Sequence, residues 1–179
     1  MEYSKLTKKL KQQNNRKIIV AGPQRSGGKF ITFCIAKDLN IKFIKDKKYK
    51  SHDFDLFYQI INTEEKFAIH APAMVEKLLL IPNNIIIIFT IRNINDIILS
   101  QKRIKWKEEK FEKQKFEPWR KIINLNQPIS KIKYDFLEKV LLKQSKNLIY
   151  ELEYKSLSIH PLWIEEKERK NFKKRQIFK

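Results

Sequence analysis

Apolar residues fall along this chain in short runs that alternate with stretches of helical spacing. β-branched, apolar runs predict five strands, at residues 17–21, 41–44, 67–69, 85–91 and 147–152. The run at 85–91 is apolar on both faces, which is typical of a central parallel strand covered by helices. Helical spacing predicts the intervening helices, at residues 30–39, 53–62 with Asp53 as N-cap, 72–80, 95–103, 105–124 and 130–144.

This alternation predicts one α/β domain. The expected architecture is a three-layer α/β/α sandwich with a mainly parallel sheet of about five strands, of the P-loop nucleotide-binding type. The 179 residues suffice for one sizeable core but not for two ordinary domains and a linker. We expect a basic N-terminal arm at 1–16, frayed or forming a short helix, then the domain at 17–160 and a basic, solvated C-terminal tail at 161–179.

The charge balance is strongly basic. Lys and Arg number 39 against 20 Asp and Glu, so the formal net charge is +19. A field of this sign attracts phosphates, sulfates, anionic lipid or nucleic acid without selecting one of them. AT-rich coding bias would also produce the many Lys, Ile and Asn residues, and both explanations stay open. Nucleic acid is therefore expected as a partner only through non-specific charge.

Three further features of the sequence bear on the cellular compartment in which the protein is expected. The uninterrupted apolar run at 85–89 is far below the roughly 20 residues that span a membrane. The chain starts with a polar, Lys-rich stretch without a cleavable apolar segment, which argues against secretion. The single cysteine, Cys34, excludes an internal disulfide and is expected in the core. We expect a soluble, cytoplasmic protein.

All three glycines of the chain, Gly22, Gly27 and Gly28, lie in the loop after the first predicted strand. Glycine allows positive φ and a close backbone approach, so successive N–H groups can surround a phosphate at the start of the next helix. The loop is not a Walker A motif, because Pro23 stands where that motif has its first glycine and Phe30 where it has its Ser or Thr. A magnesium-dependent nucleotide hydrolase is therefore disfavoured.

The loop resembles the 5′-phosphosulfate loop of the sulfotransferase family, whose usual form is G-x-P-R-S-G-T-T. The resemblance implies that 3′-phosphoadenylyl sulfate is the donor and adenosine 3′,5′-bisphosphate the product, without a metal. It assigns Arg25 and Lys29 to catalysis, with Arg25 at the bridging oxygen of the leaving sulfonate. Gly28 and Lys29 replace two threonines of the family, a departure that is expected to affect catalysis more than nucleotide binding. The donor-binding residues that it implies in this loop are Gly22, Gln24, Arg25, Ser26, Gly27, Gly28, Lys29 and Phe30.

A second segment, Arg92-Asn-Ile-Asn-Asp-Ile-Ile-Leu-Ser100, follows the central strand. It resembles the family's R-N-P-x-D-x-x-x-S signature, in which the arginine and serine recognise the 3′-phosphate of the donor. An arginine at the carboxyl end of a parallel strand offers forked N–H donors to a phosphate. The resemblance therefore assigns Arg92 and Ser100 to the 3′-phosphate.

His70 is the candidate catalytic base. The segment His70-Ala-Pro-Ala is similar to the K-T-H-x-P segment whose histidine acts as base in cytosolic sulfotransferases, and the pKa of histidine suits this role. The alternative, that His70 is a buried histidine with a structural role only, stays open. Other sulfotransferases use a carboxylate base from a region comparable to the cluster His52, Asp53 and Asp55, but we interpret this cluster as a helix N-terminus. His160 is interpreted as a turn residue.

Three further assignments complete the expectations. Residues 151–157 resemble the family's strand that ends Y-E-D-L, and residues 102–121 are interpreted as a lid or acceptor-side helix. We expect a sulfotransferase that acts on an unidentified hydroxyl or amine, or a relative that keeps only the nucleotide site. A kinase-like phosphotransferase and a non-catalytic nucleic-acid-binding module are the alternatives.

Overall fold

The computed structural model describes residues 1–14, 16–50, 52–106 and 109–163. Its strands are β1 Lys17–Ala21, β2 Lys42–Ile44, β3 Phe67–His70, β4 Ile86–Ile91 and β5 Leu148–Glu153. Its helices are α1 Tyr3–Gln12, α2 Gly28–Asp38, α3 Phe54–Thr63, α4 Ile94–Arg103, α5 Glu109–Gln114 and α6 Ile129–Phe136. A π-helical turn, Leu137–Leu141, prolongs α6 into the short α-helical segment Leu142–Gln144.

The five strands form one sheet in the order β2-β3-β1-β4-β5, and every pairing is parallel. Helices cover both faces, because alternate residues of each central strand enter different cores. In β1, Ile19 packs with α3 and α6, while Ile18 packs with α1 and α2. The predicted three-layer α/β/α sandwich with a parallel sheet is therefore confirmed.

The strand order places the glycine loop at a switch point. β1 lies between β3 and β4, so the loop after β1 opens between the carboxyl ends of its two neighbours. His70 ends β3, and Arg92 follows the last residue of β4. In open parallel sheets, ligands bind at such a point.

Two predicted helices are wrong. Within 72–80, only Val75–Lys77 is helical, as a single 3₁₀ turn. The carbonyl of Pro72 accepts a hydrogen bond from the buried Lys133 and that of Ala73 from the partly buried Lys115, which gives the backbone partners outside a helix. Within 105–124, the helices described are α5 and the 3₁₀ turn Glu117–Trp119. Pro118 lies in the first turn of this 3₁₀ segment, and proline cannot donate the backbone hydrogen bond that a helix continuing from α5 would need.

The N-terminal segment takes the second of its two predicted forms, the short helix. α1 buries Tyr3, Leu6 and Leu10 in the same core as α2. The Tyr3 hydroxyl donates to a carboxylate oxygen of Asp38 at 2.8 Å. The segment is thus packed against the domain. The predicted C-terminal tail lies outside the described residues from 164 onward. No helix in the described part of the chain is long and apolar enough to cross a membrane.

Candidate phosphate-binding site

The glycine loop is held in a conformation that most residues avoid. Gly22 has a φ of +130° and Gly27 a φ of +94°, and Arg25 adopts a φ of +75° without being glycine. A Cβ on Gly22 would overlap the Thr90 side chain, and one on Gly27 would overlap the ring of Tyr154. Both glycines are therefore required by the close approach of β4 and of the turn after β5.

A cleft of about 500 Å³ opens at the loop. Gly22, Ser26 and Ser100 are buried behind its wall, where the Ser26 hydroxyl is hydrogen-bonded to that of Thr90. The structure therefore gathers most of the predicted donor-binding residues around one space. The predicted donor-binding residues that line the cleft are Gln24, Arg25, Gly27, Gly28, Lys29, Phe30 and Arg92, and the candidate base His70 lines it as well.

The two sequence motifs meet at Arg25. Its Nε atom donates a hydrogen bond to the Ser100 hydroxyl at 3.1 Å, and Arg92 donates to the Arg25 carbonyl at 3.2 Å. The Arg92 guanidinium also lies 4.8 Å from the centre of the Tyr154 ring. Burial lowers the pKa of Arg25, and the nearby positive charges of Arg92 and Arg103 lower it further. Like charges brought together in this way are stabilised by an anion bound among them.

His70 faces the loop from the end of β3. An ideal Cβ on Gly28 would lie 3.0 Å from His70 Nε2, so this nitrogen points to the start of α2. The opposite nitrogen, Nδ1, is buried without a hydrogen-bond partner among the described residues. Burial lowers the pKa of His70 to about 4; Asp46 raises it and Lys29 lowers it. The imidazole is therefore neutral at pH 7, with a pKa below the ordinary histidine value on which its assignment as base was founded.

His52 lies beside a helix terminus and a partly buried cluster of charged residues. The Asp53 side chain accepts a hydrogen bond from the Leu56 amide at 3.0 Å and caps α3, as predicted. His52 Nδ1 lies 2.9 Å from Lys115 Nζ and 3.7 Å from the Glu112 carboxylate. Its position supports the interpretation as a helix N-terminus.

Cys34, His160 and Asp38 form a line on the far side of the sheet. Cys34 Sγ lies 3.6 Å from His160 Nδ1, and His160 Nε2 lies 3.4 Å from an Asp38 oxygen. A thiol, an imidazole and a carboxylate in this order resemble the arrangement that activates a cysteine nucleophile. Cys34, however, is fully buried, and burial raises the pKa of its thiol to about 12. The group thus packs residues 154–163 onto α1 and α2, in agreement with the expected core role of Cys34.

Sequence reasoning missed part of the cleft. Asp46, Pro72, Ile104, Trp106 and Tyr154 also line it. Residues 151–157 had been singled out by their resemblance to the Y-E-D-L strand, which was the one signal for Tyr154. Ile104 and Trp106 belong to the stretch 102–121 that was interpreted as a lid or acceptor-side helix. Asp46 and Pro72 come from turns, whose positions depend on the packed sheet.

A network of three ion pairs, which shares Glu112 and Lys115, was also missed. Lys133 and Glu112 are fully buried and joined at 2.7 Å, and Lys115 lies 3.3 Å from the same carboxylate and 3.9 Å from Glu76. In the sequence, Lys133 stands in an amphipathic helix and looks like any surface lysine. Among the described residues, no group of three or more His, Cys, Asp or Glu side chains is placed to hold a metal ion.

Comparisons with known proteins give one structural similarity. No family model matches the chain, and no curated protein matches it. A solved structure of shikimate kinase from Acinetobacter baumannii in complex with shikimate aligns with 82% of this chain and 86% of its own, at 10% identity and a TM-score of 0.42. At this level neither the substrate nor the activity of that enzyme transfers to the present chain.

Proposed function

We propose that this chain transfers a sulfonate group from 3′-phosphoadenylyl sulfate to an acceptor hydroxyl or amine. One observation carries the proposal: the Arg25–Ser100 hydrogen bond joins the glycine loop to the Arg92 motif. The cleft thereby presents two neighbouring anion positions, one at the loop amides and one at the Arg92 guanidinium. A nucleotide with phosphates on both sides of its ribose has this distribution of charge.

The cleft residues fit such a donor without a metal. Phe30 stands where a magnesium-binding hydroxyl would be needed, and Asp46 is the one carboxylate among the described residues that line the cleft. Cations supply the counter-charge instead, because Arg25, Lys29 and Arg92 all line the same space. The apolar side of the cleft, at Ile104 and Trp106, leaves room for the acceptor.

Each group has a separate role in the proposed reaction. The donor supplies the sulfonate and a phosphate leaving group. The loop amides and the N-terminus of α2 bind the 5′-phosphate, while Arg25 and Lys29 stabilise the charge that grows on its bridging oxygen. His70 Nε2 takes the proton of the acceptor as the new O–S or N–S bond forms and the old S–O bond breaks. Arg92 holds the 3′-phosphate.

A ligand titration tests this assignment. The unfolding temperature is measured with adenosine 3′,5′-bisphosphate, with ATP and magnesium, and with single-stranded RNA. We expect stabilisation by the bisphosphate that is lost in Arg92→Ala and kept in Arg120→Ala, whose arginine is exposed and paired with Glu117. A response to ATP with magnesium alone would overturn the proposal.

A kinase-like phosphotransferase is the second candidate, and Lys29 favours it. Gly28-Lys29 at the start of α2 reproduces the G-K pair of a Walker A loop, and Lys29 reaches the cleft. This reaction predicts that ATP stabilises the protein in Arg92→Ala as well as in the wild type. It also predicts that Lys29→Ala abolishes the ATP response.

A further inference from the structure

Lys133 makes an unusual set of contacts for a lysine. It is fully buried, and its ammonium group donates three hydrogen bonds of 2.7 Å, to the Gln24 side chain, the Pro72 carbonyl and the Glu112 carboxylate. These acceptors belong to the glycine loop, to the segment after His70 and to α5. One buried cation therefore ties the loop to the acceptor side of the cleft.

Gln24 is held at two points. Lys133 binds its side-chain oxygen, and the Gln101 side chain donates to its carbonyl at 3.1 Å. The next residue is Arg25, which occupies the left-handed region at φ +75°. A non-glycine residue in such a conformation is strained and persists only where its surroundings fix it. The two contacts on Gln24 supply that constraint.

We propose that Lys133 is a positioning residue that holds Gln24, and through it keeps Arg25 in the backbone conformation that presents its guanidinium to Ser100 and to the anion. The inference rests on the proposed function only in that the loop binds a phosphate group. Lys133 itself lies behind Gln24 and does not line the cleft. Its effect on a ligand is therefore exerted through the loop.

The charge of Lys133 is balanced in place. Burial lowers its pKa, and the Glu112 carboxylate opposes that shift. Replacing Lys133 alone would leave a buried carboxylate without its closest cation, which destabilises a protein strongly. The informative variant is Lys133→Met with Glu112→Gln, in which both charges are removed together.

A second variant removes the contact from the other end. Gln24→Leu cannot accept the Lys133 hydrogen bond but leaves Lys133 with Pro72 and Glu112. Gln24 is only half-buried, so this variant is expected to fold even where the paired variant does not. Lys139→Met is the matched control, since Lys139 is half-exposed and pairs with Asp135 at 3.5 Å.

The first measurement is amide hydrogen exchange in the loop without any ligand. The Ser26 amide donates to the Pro23 carbonyl at 3.1 Å, across Gln24 and Arg25. We expect its exchange to become at least about tenfold faster in Gln24→Leu and in the paired variant, but not in Lys139→Met, with β4 amides unchanged. Unchanged exchange at Ser26 in Gln24→Leu would overturn the inference.

The second measurement is a double-mutant cycle on the affinity for adenosine 3′,5′-bisphosphate. If Lys133 acts through Gln24, then combining Gln24→Leu with the paired variant weakens binding no more than either change alone, about tenfold rather than about a hundredfold. Additive losses would contradict the coupling. If the wild type fails to bind the bisphosphate, the proposed function fails, and the exchange experiment still decides the role of Lys133.

Discussion

An oxygen of the Asp46 carboxylate lies 3.7 Å from His70 Nδ1, at the buried end of the imidazole. The other ring nitrogen, Nε2, faces Gly28 and the cleft. Asp46 thus stands where it stabilises the protonated form of His70, against the effect of burial and of Lys29. The residue comes from the turn Asp46–Tyr49, whose Tyr49 hydroxyl donates to the His70 carbonyl at 2.6 Å.

The buried imidazole predicts a loss of stability in acid. The pKa of His70 is about 4 in the folded protein, against the ordinary value of 6.5 that applies to the unfolded chain. As the pH falls, the unfolded state therefore binds the proton first. The free energy of unfolding therefore carries no penalty from His70 above pH 6.5. It falls by up to about 3 kcal/mol as the pH is lowered from 6.5 to 4. His70→Gln removes this loss. The free energy of unfolding, measured with denaturant at several pH values from 7 to 4, should depend less steeply on pH in the variant than in the wild type. Equal dependence on pH would contradict the prediction.

The Asp46 carboxylate predicts how the pKa of His70 responds to a substitution. Asp46→Asn removes the group that raises the pKa of His70, so this pKa should fall below its wild-type value. Nuclear magnetic resonance of the imidazole protons measures the change directly. Asp55→Asn, in the first turn of α3, serves as the control and should leave the His70 pKa in place.

Catalysis and binding should separate at His70. If Nε2 takes the proton of the acceptor, His70→Asn lowers the rate of sulfonate transfer by about 10²–10⁴-fold while the bisphosphate still binds. Binding survives because the loop amides and Arg92 do not depend on the imidazole. The measurements are turnover with a competent acceptor and titration of the bisphosphate. Full turnover in the variant would remove His70 from the mechanism.

Gly27 and Gly28 should respond differently to alanine. Gly27→Ala brings a Cβ into the Tyr154 ring at a φ of +94°, which costs about 1–3 kcal/mol from the backbone alone. Gly28→Ala brings its Cβ to 3.0 Å from His70 and requires only a small shift of the ring. We expect the unfolding temperature to fall more in Gly27→Ala than in Gly28→Ala. The reverse order would show that the loop differs from the structure described.

Cys34 should be unreactive in the folded protein. Burial raises the pKa of its thiol to about 12, so the thiolate is scarce at neutral pH despite the neighbouring His160. A thiol-specific reagent should modify Cys34 at pH 8 only after denaturant is added. Rapid modification of the native protein would mean that the Cys34–His160–Asp38 line is open to solvent.

The sequence by itself determined the sheet and the position of the loop. β-branched runs are recognisable locally because a strand buried on both faces needs apolar side chains at every position, as in β4. The loop was recognisable because its glycines meet a steric demand at Gly22 and Gly27. Asp53 was likewise found from a local rule, since an N-cap is a contact between near neighbours.

The tertiary structure decided what depends on distant contacts. Residues 72–80 have apolar residues at helical spacing, yet that spacing reports burial, and their carbonyls are bound by Lys115 and Lys133 instead of by a helix. Lys133 looks like a surface residue in the sequence because its partners, Gln24 and Glu112, are 109 and 21 residues away. A buried ion is stable only where the fold brings counter-charge and acceptors to it, so no local pattern reveals it.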